Sequence, residues 1–329
     1  MKENMDVALV GHKGYWGSLL LGRLRACPGI SVIALVDPRE HDPAVCALTF
    51  PSIESLLRDH IGRNIQSVII ATPPHTHFEI AAACLEAGKH VLLEKPMTVS
   101  SIDAQLLVDL AAEKGVKLGV DHTFLFSEHV RVLKRVMWSG QIGTPLRIQS
   151  DRLNLGKFQD SGVVWDLAPH DFAMALYLTD HTPTFRSAEV LGHLDFIPDT
   201  AYISLSFGEI SYSLNLSWLY PRKVRTTVVL GTEGMIEYDM LSKEPLVIYD
   251  KRAKKGEKEW IHSSSWKQSF QEEAPEPLSI LCREWKNHCL YNAPFPSPGE
   301  QGARVVSLIE QVLEKSCPLS TLPPSLVLK

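Results

Sequence analysis

Apolar residues in the first third of the chain fall in short runs separated by stretches of helical spacing. Positions 7–10, 31–36, 67–71, 90–94 and 116–120 are nearly continuous runs of Val, Ile, Leu and Ala, the pattern of strands buried on both faces of a parallel sheet. Between them, positions 18–26, 53–60, 78–87 and 102–114 carry the longer period of helices, the last opened by Ser100 and stopped by Gly115. Strand and helix in strict alternation predict an α/β domain with a doubly wound parallel sheet. After Asp121 the rhythm changes. A helix at 128–138 ends at Gly140, and strands then dominate at 146–155, 187–194, 202–207, 211–218 and 226–230, with turn signals at Gly208-Glu209 and 231–234. Consecutive strands joined by such turns predict a second domain with a large, mostly antiparallel open sheet. The charged, Ser/Pro/Glu-rich stretch 251–277 reads as a surface excursion, and 278–290 and 301–314 as closing helices. The expected division is a dinucleotide-binding domain at 1–121 and a substrate-binding and oligomerisation domain at 122–329, with the helix near 300–315 returning to the first.

Length agrees with that division, because 329 residues exceed the size at which one core keeps growing. With 45% apolar and 22% charged residues the composition is that of a soluble globular protein. A net charge of -5 without basic clusters argues against a nucleic-acid polymer or an anionic membrane as partner. The longest apolar runs, 32–36 and 68–71, are far too short for a membrane span, and Met1-Lys2-Glu3-Asn4 leads into the first strand without a signal-peptide core, so a cytoplasmic location is expected. Six cysteines, at 27, 46, 84, 282, 289 and 317, form no C-x-x-C pair and are expected to be reduced, buried thiols.

Three stretches carry candidate chemistry. The first strand runs into Gly11-His12-Lys13-Gly14-Tyr15-Trp16-Gly17 and then a helix, the arrangement in which backbone N–H groups and the helix start hold a pyrophosphate. The glycine spacing is G-x-x-G-x-x-G, with Lys13 where a second glycine is usual. Asp37 closes the second strand 20 positions after Gly17 (37 minus 17), where a carboxylate accepts from a ribose 2′-hydroxyl and repels a 2′-phosphate. NAD(H) is therefore favoured, and Arg39 nearby keeps NADP(H) open, since a guanidinium pairs with phosphate.

The second stretch is HVLLEKP, residues 90–96. Ligands of open α/β sheets sit outside the carboxyl ends of the strands, so Glu94 and Lys95 are delivered there, and Pro96 ends the strand. Thr72-Pro73-Pro74-His75-Thr76-His77 ends the preceding strand, and Thr72, Pro73, His75 and His77 are expected to line the same cofactor crevice. No carboxylate or cysteine completes a ligand set with the two histidines, so no metal is expected. The third stretch is Trp165-Asp166-Leu167-Ala168-Pro169-His170-Asp171, opening a helix to 178. Asp166 and His170 are one turn apart on one face, a carboxylate positioned to orient a general acid or base.

TPPHTH at 72–77, EAGKHVLLEKP at 86–96 and WDLAPHD at 165–171 together resemble the glucose–fructose oxidoreductase / inositol dehydrogenase family, often called Gfo/Idh/MocA. The stretch 152–171 resembles its nucleotide-sugar-acting members. The resemblance implies a Rossmann domain followed by an α/β domain whose open sheet makes homodimers or homotetramers. It also implies hydride transfer between a nicotinamide and a secondary alcohol or ketone of a sugar, a sugar nucleotide on the closer likeness. Lys95 falls on the family's catalytic lysine, and Asp166 and His170 on its D-x-x-x-H pair. Gly11, Lys13, Gly14, Tyr15, Trp16, Gly17, Asp37, Thr72, Pro73, His75, His77, Glu94 and Lys95 would hold cofactor. Arg152, Asn154, Lys157, Trp165 and Asp171 would meet substrate. Ala173 stands where an aspartate is common in the family. In the implied reaction His170 takes the hydroxyl proton, Lys95 steadies charge developing on that oxygen, and Asp166 orients them. Two other readings fit such a chain: a hydrolase that keeps NAD bound and cleaves a glycosidic bond through transient oxidation, and a cofactor-binding sensor without turnover.

Overall fold

A computed structural model describes residues 4–39, 48–156, 158–194, 196–250, 253–255, 260–262, 267–270 and 275–316. The chain forms two compact units, one of Met1–Phe126 with Pro275–Ser307 and one of Ser127–Ala274 with the chain from Leu308 onward.

The first unit is built from β1 (Met5–Val10), α1 (Tyr15–Ala26), β2 (Ile30–Val36), β3 (Thr49–Phe50), α2 (Ile53–Arg58), α3 (His60–Asn64), β4 (Ser67–Ile70), α4 (His77–Glu86), β5 (His90–Glu94), α5 (Ser101–Lys114) and β6 (Leu118–Asp121). Its six strands are all parallel, in the order β3-β2-β1-β4-β5-β6. The order reverses direction beside β1, and the crevice outside the carboxyl ends of β1 and β4 is where such sheets bind dinucleotides. Val7, Ala8 and Leu9 of β1 and Val68 and Ile70 of β4 have no exposure at all, which is why these strands read as unbroken apolar runs rather than alternating ones. Ser100 accepts from the Asp103 amide at the start of α5, and Gly115 ends it in the left-handed conformation, as the sequence predicts. The single helix expected at 53–60 is two, because Asp59 ends α2 and caps α3 through the Ile61 amide. The two-residue strand β3 has no apolar pattern long enough to be read from sequence. α8 (Pro277–Tyr291) belongs to this unit, and its Trp285 is fully buried, donating to Ser67 Oγ across 2.9 Å.

The second unit contains α6 (Glu128–Met137), β7 (Pro145–Leu155), α7 (Gly162–Thr179), β8 (Pro183–Leu191), β9 (Thr200–Phe207), β10 (Ile210–Ser217), β11 (Leu219–Gly231), β12 (Met235–Asp239) and β13 (Leu246–Tyr249). A short hairpin, β14 (Ala253–Lys255) with β15 (Trp260–His262), and β16 (Lys267–Phe270) follow, and α9 (Gly299–Lys315) crosses from one unit's span into the other's. The eight-stranded sheet runs β16-β13-β12-β11-β7-β10-β9-β8. It is mostly antiparallel, as the sequence predicts, with one parallel pairing, β7 with β10. Strand β16 pairs with β13 at the sheet edge, so the stretch read as a surface excursion supplies a strand. On β10, Ile210, Tyr212, Leu214 and Leu216 are buried while the residues between them are not, and α7 packs on that covered side. The helix α7 starts earlier than WDLAPHD, which leaves Pro169 in its interior with no N–H to give the Trp165 carbonyl one turn back.

Candidate active site

In the first unit the loop after β1 is close-packed backbone. Gly11 has φ +85, and a Cβ on Gly17 would lie 2.1 Å from the Gly11 carbonyl oxygen, so glycine is required where α1 meets the strand. Gly14 caps α1 without a side-chain acceptor, and no acidic residue occupies the first turn, so the first N–H groups face outward for an anion. A cleft of about 650 Å³ is lined by Gly11, Gly14, Asp37, Arg39, Thr72 and Pro73 among others. Tyr15 and Trp16 are exposed, their rings edge to face at 5.2 Å. Asp37 is buried at the end of β2 and accepts from the Lys13 amide at 3.3 Å. Arg39 grips it as a fork, Nε at 2.8 Å from one oxygen and Nη2 at 2.7 Å from the other. Burial opposes ionisation of this carboxyl, and the hydrogen bonds from Arg39 and Lys13 outweigh it, bringing its pKa down to about 2. Loop, cleft and strand-end carboxylate fit a nicotinamide dinucleotide.

The ends of β4 and β5 are tied together. His77 is fully buried, its ring lying between the Thr72 and Pro96 carbonyl oxygens at 2.9 and 3.0 Å, so its nitrogens are turned to the protein rather than to the cleft. His75 is exposed, and Thr72 accepts from the Thr76 hydroxyl at 2.7 Å. Glu94 is buried at the end of β5 and Lys95, half-buried, follows it before Pro96. A buried acid at the end of the next strand, Asp121, escapes the three motif readings, although it ends β6 as Glu94 ends β5.

The second unit carries its own polar cluster. Asp166 and His170 lie one turn apart on α7, both half-buried. Trp218, fully buried just beyond β10, donates its indole N–H to Asp166 Oδ2 at 3.1 Å. Gly156 makes room for that ring, since a Cβ there would lie 2.2 Å from it. Arg152 and Asp171 form a buried ion pair, so these two face each other inside the unit rather than open solvent. Asn154 accepts from Arg225 Nη2, and Trp165 is half-buried beside Asp166. Burial, then the charge of Arg152, lowers the pKa of Arg225 to about 10. Lys157 lies outside the described residues. Trp218 and Arg225 have no motif signal: the first reads in sequence as an ordinary strand residue and the second lies just before a predicted strand, and pairing of β7, β10 and β11 brings them to Asp166 and Asn154.

The family described as oxidoreductase, NAD-binding Rossmann fold matches residues 5–122, and the GFO/IDH/MocA C-terminal domain matches residues 130–237. UDP-N-acetylglucosamine 3-dehydrogenase of Acidithiobacillus ferrooxidans is 30% identical over 166 residues, 49% of this chain and 50% of that protein. Its solved structure matches with a TM-score of 0.80 at 22% identity over 95% of this chain and 98% of that one. Myo-inositol 2-dehydrogenase of Thermotoga maritima is 27% identical over 215 residues, 59% of this chain and 62% of that protein. A 3-ketoreductase from Actinomadura kijaniata, solved with TDP-benzene and NADP, matches with a TM-score of 0.81 at 18% identity over 97% of this chain and 100% of that one. The chain spans about half the length of the curated relatives it matches. With both family domains matched in order along one chain, and the predicted pair of sheets present, the protein belongs to the GFO/IDH/MocA family of NAD(P)-binding oxidoreductases.

Proposed function

We propose that this protein moves a hydride between a nicotinamide cofactor, NAD(H) in preference to NADP(H), and a secondary alcohol or ketone of a sugar, most fittingly a nucleotide-linked sugar. The observation that carries the reading is Lys95, set directly after β5 at the carboxyl edge of the same sheet whose glycine loop and Asp37 form the dinucleotide cleft. The backbone N–H groups at the start of α1 bind the pyrophosphate, and Asp37 takes the ribose hydroxyl. When bound, the nicotinamide supplies the hydride acceptor or donor. Lys95 donates a hydrogen bond to the substrate oxygen whose charge changes during transfer. His170 accepts the hydroxyl proton in oxidation and returns it in reduction, and Asp166, held by Trp218, fixes the imidazole's orientation. The likeness of 152–171 to nucleotide-sugar-acting members supports the substrate class, as does the relatedness to a UDP-sugar dehydrogenase. The protein is expected to work in the cytoplasm as a homodimer or homotetramer built on the open sheet.

The test is a panel of nucleotide sugars, free sugars and inositols, scored by reduced-nicotinamide absorbance together with product analysis. Net formation or loss of reduced nicotinamide matched to a keto-sugar supports the reading. Bond cleavage without net reduced nicotinamide would replace it with the hydrolase reading, and cofactor binding without turnover on any member would replace it with the sensor.

A further inference from the structure

Glu94 and Asp121 end neighbouring parallel strands and stand opposite each other in the register. Both are buried, at 7% and 1% exposure. One oxygen of each carboxyl has a donor: Glu94 Oε2 accepts from the Lys95 amide at 3.1 Å, and Asp121 Oδ1 from the Thr123 hydroxyl at 2.6 Å. The other two, Glu94 Oε1 and Asp121 Oδ2, are buried acceptors with no donor. Two ionised carboxylates cannot satisfy each other, whereas one proton placed between them converts one into a donor and leaves no buried oxygen unpaired.

The surroundings fix how much charge the pair can carry. Lys95 is the cation that acts on both carboxyls. His122, next along from Asp121, is kept neutral: burial, and then Lys95, bring its pKa down to about 3, and its Nδ1 lies 2.8 Å from Ser297 Oγ. Burial pushes the Cys282 thiol of α8 up, so it brings no charge to the pair. One cation stands against two carboxyls, and burial, with the charge of Asp121, raises Glu94 far above its ordinary range.

We propose that Glu94 and Asp121 share one proton and act as a singly charged dyad that positions Lys95 through its backbone and holds its ammonium in the charged form. The second half rests on the reading of Lys95 as the hydrogen-bond donor to substrate; the shared proton does not. Glu94 and Asp121 are positioning residues, acting through Lys95.

Two variants test it. In Glu94→Gln the amide donates to Asp121, keeping one negative charge without a titrating proton. In the double variant Glu94→Gln/Asp121→Asn the hydrogen bond remains and the charge is gone. At neutral pH, infrared spectra of the wild type should show the carbonyl band of a protonated carboxyl, lost in Glu94→Gln. Because the folded dyad keeps a proton that unfolded carboxyls release, its stabilisation is complete below the unfolded carboxylate range and is lost as pH rises through the folded titration. The Tm of Glu94→Gln should therefore gain on the wild type as pH rises. Absence of the band from the wild type, or parallel Tm curves, would overturn the shared proton whatever Lys95 does. In the pH profile of kcat, Glu94→Gln should keep the alkaline limb in place, and the double variant should move it down by roughly one pH unit or more, the scale of removing one opposite charge at close range. An unmoved limb in the double variant overturns the link to Lys95. A wild-type band together with full turnover in Lys95→Ala would leave the dyad standing and remove the catalytic reading of Lys95.

Discussion

Trp218 donates its indole N–H to Asp166 across 3.1 Å, from a ring that is fully buried and seated against Gly156. A donor so enclosed cannot swing away, so it fixes one carboxylate oxygen of Asp166 and with it the face that Asp166 presents along α7. Trp218→Phe keeps most of the packing and deletes the donor. Turnover should fall by about tenfold, the scale of a lost hydrogen bond to a charged group, while cofactor affinity, proposed to come from the other unit, should stay unchanged. Equal turnover in Trp218→Phe would show that Asp166 needs no such anchor.

Lys95→Ala should lower turnover by about 10²-fold or more, the scale for removing a preorganised donor at a developing oxyanion. Nucleotide affinity should change far less, because most of the contacts proposed for it come from the glycine loop and Asp37. Lys95→Arg should not restore turnover, since a planar fork does not place one donor where a compact ammonium sat. Steady-state kinetics and cofactor titration of the two variants check this; near-wild-type turnover in Lys95→Ala would take the chemistry away from the end of β5.

Asp37 and Arg39 neutralise each other, and on the proposed reading cofactor choice turns on which partner the guanidinium takes. Asp37→Ser frees Arg39 to meet a 2′-phosphate and removes the carboxylate that repels it. The ratio of NADPH to NADH affinity, measured by calorimetry, should rise by about tenfold or more. A ratio that does not move would mean that neither side chain reaches the ribose.

The same pair makes stability depend on acid pH. The folded pKa of Asp37, about 2, lies below that of an unfolded aspartate. Its contribution is therefore complete above about pH 4 and is lost as pH falls from there toward about 2. In thermal unfolding across the acid range, Asp37→Asn should show a shallower loss of Tm than the wild type; identical slopes would contradict it.

Gly17→Ala should abolish dinucleotide binding, because the added methyl would lie 2.1 Å from the Gly11 carbonyl and the loop must open to admit it. Gly22→Ala, on the same helix with nothing within 4 Å of the new carbon, should stabilise α1 by up to about 1 kcal/mol and leave binding intact. Dinucleotide titration of the two variants checks the contrast, and tight binding by Gly17→Ala would sink it.

Sequence alone determined the parallel sheet of the first unit, since strands buried on both faces must be apolar throughout and helices between them must keep their period, as β1, β4 and β5 do. It also singled out Gly11, Gly17, Asp37, Lys95, Asp166 and His170 as candidates, because each lies in a local pattern that one segment can carry. Only the tertiary structure decided the partners. Glu94 and Asp121 are 27 positions apart (121 minus 94) and meet through the register of β5 and β6. Trp218 reaches Asp166 from the end of another strand, and Arg152 meets Asp171 inside the unit. His77, expected at the cofactor crevice, is held instead between two carbonyl oxygens. Strand register and long-range burial follow from how whole elements pack, and a polar side chain's partner follows from register, so no local pattern contains it.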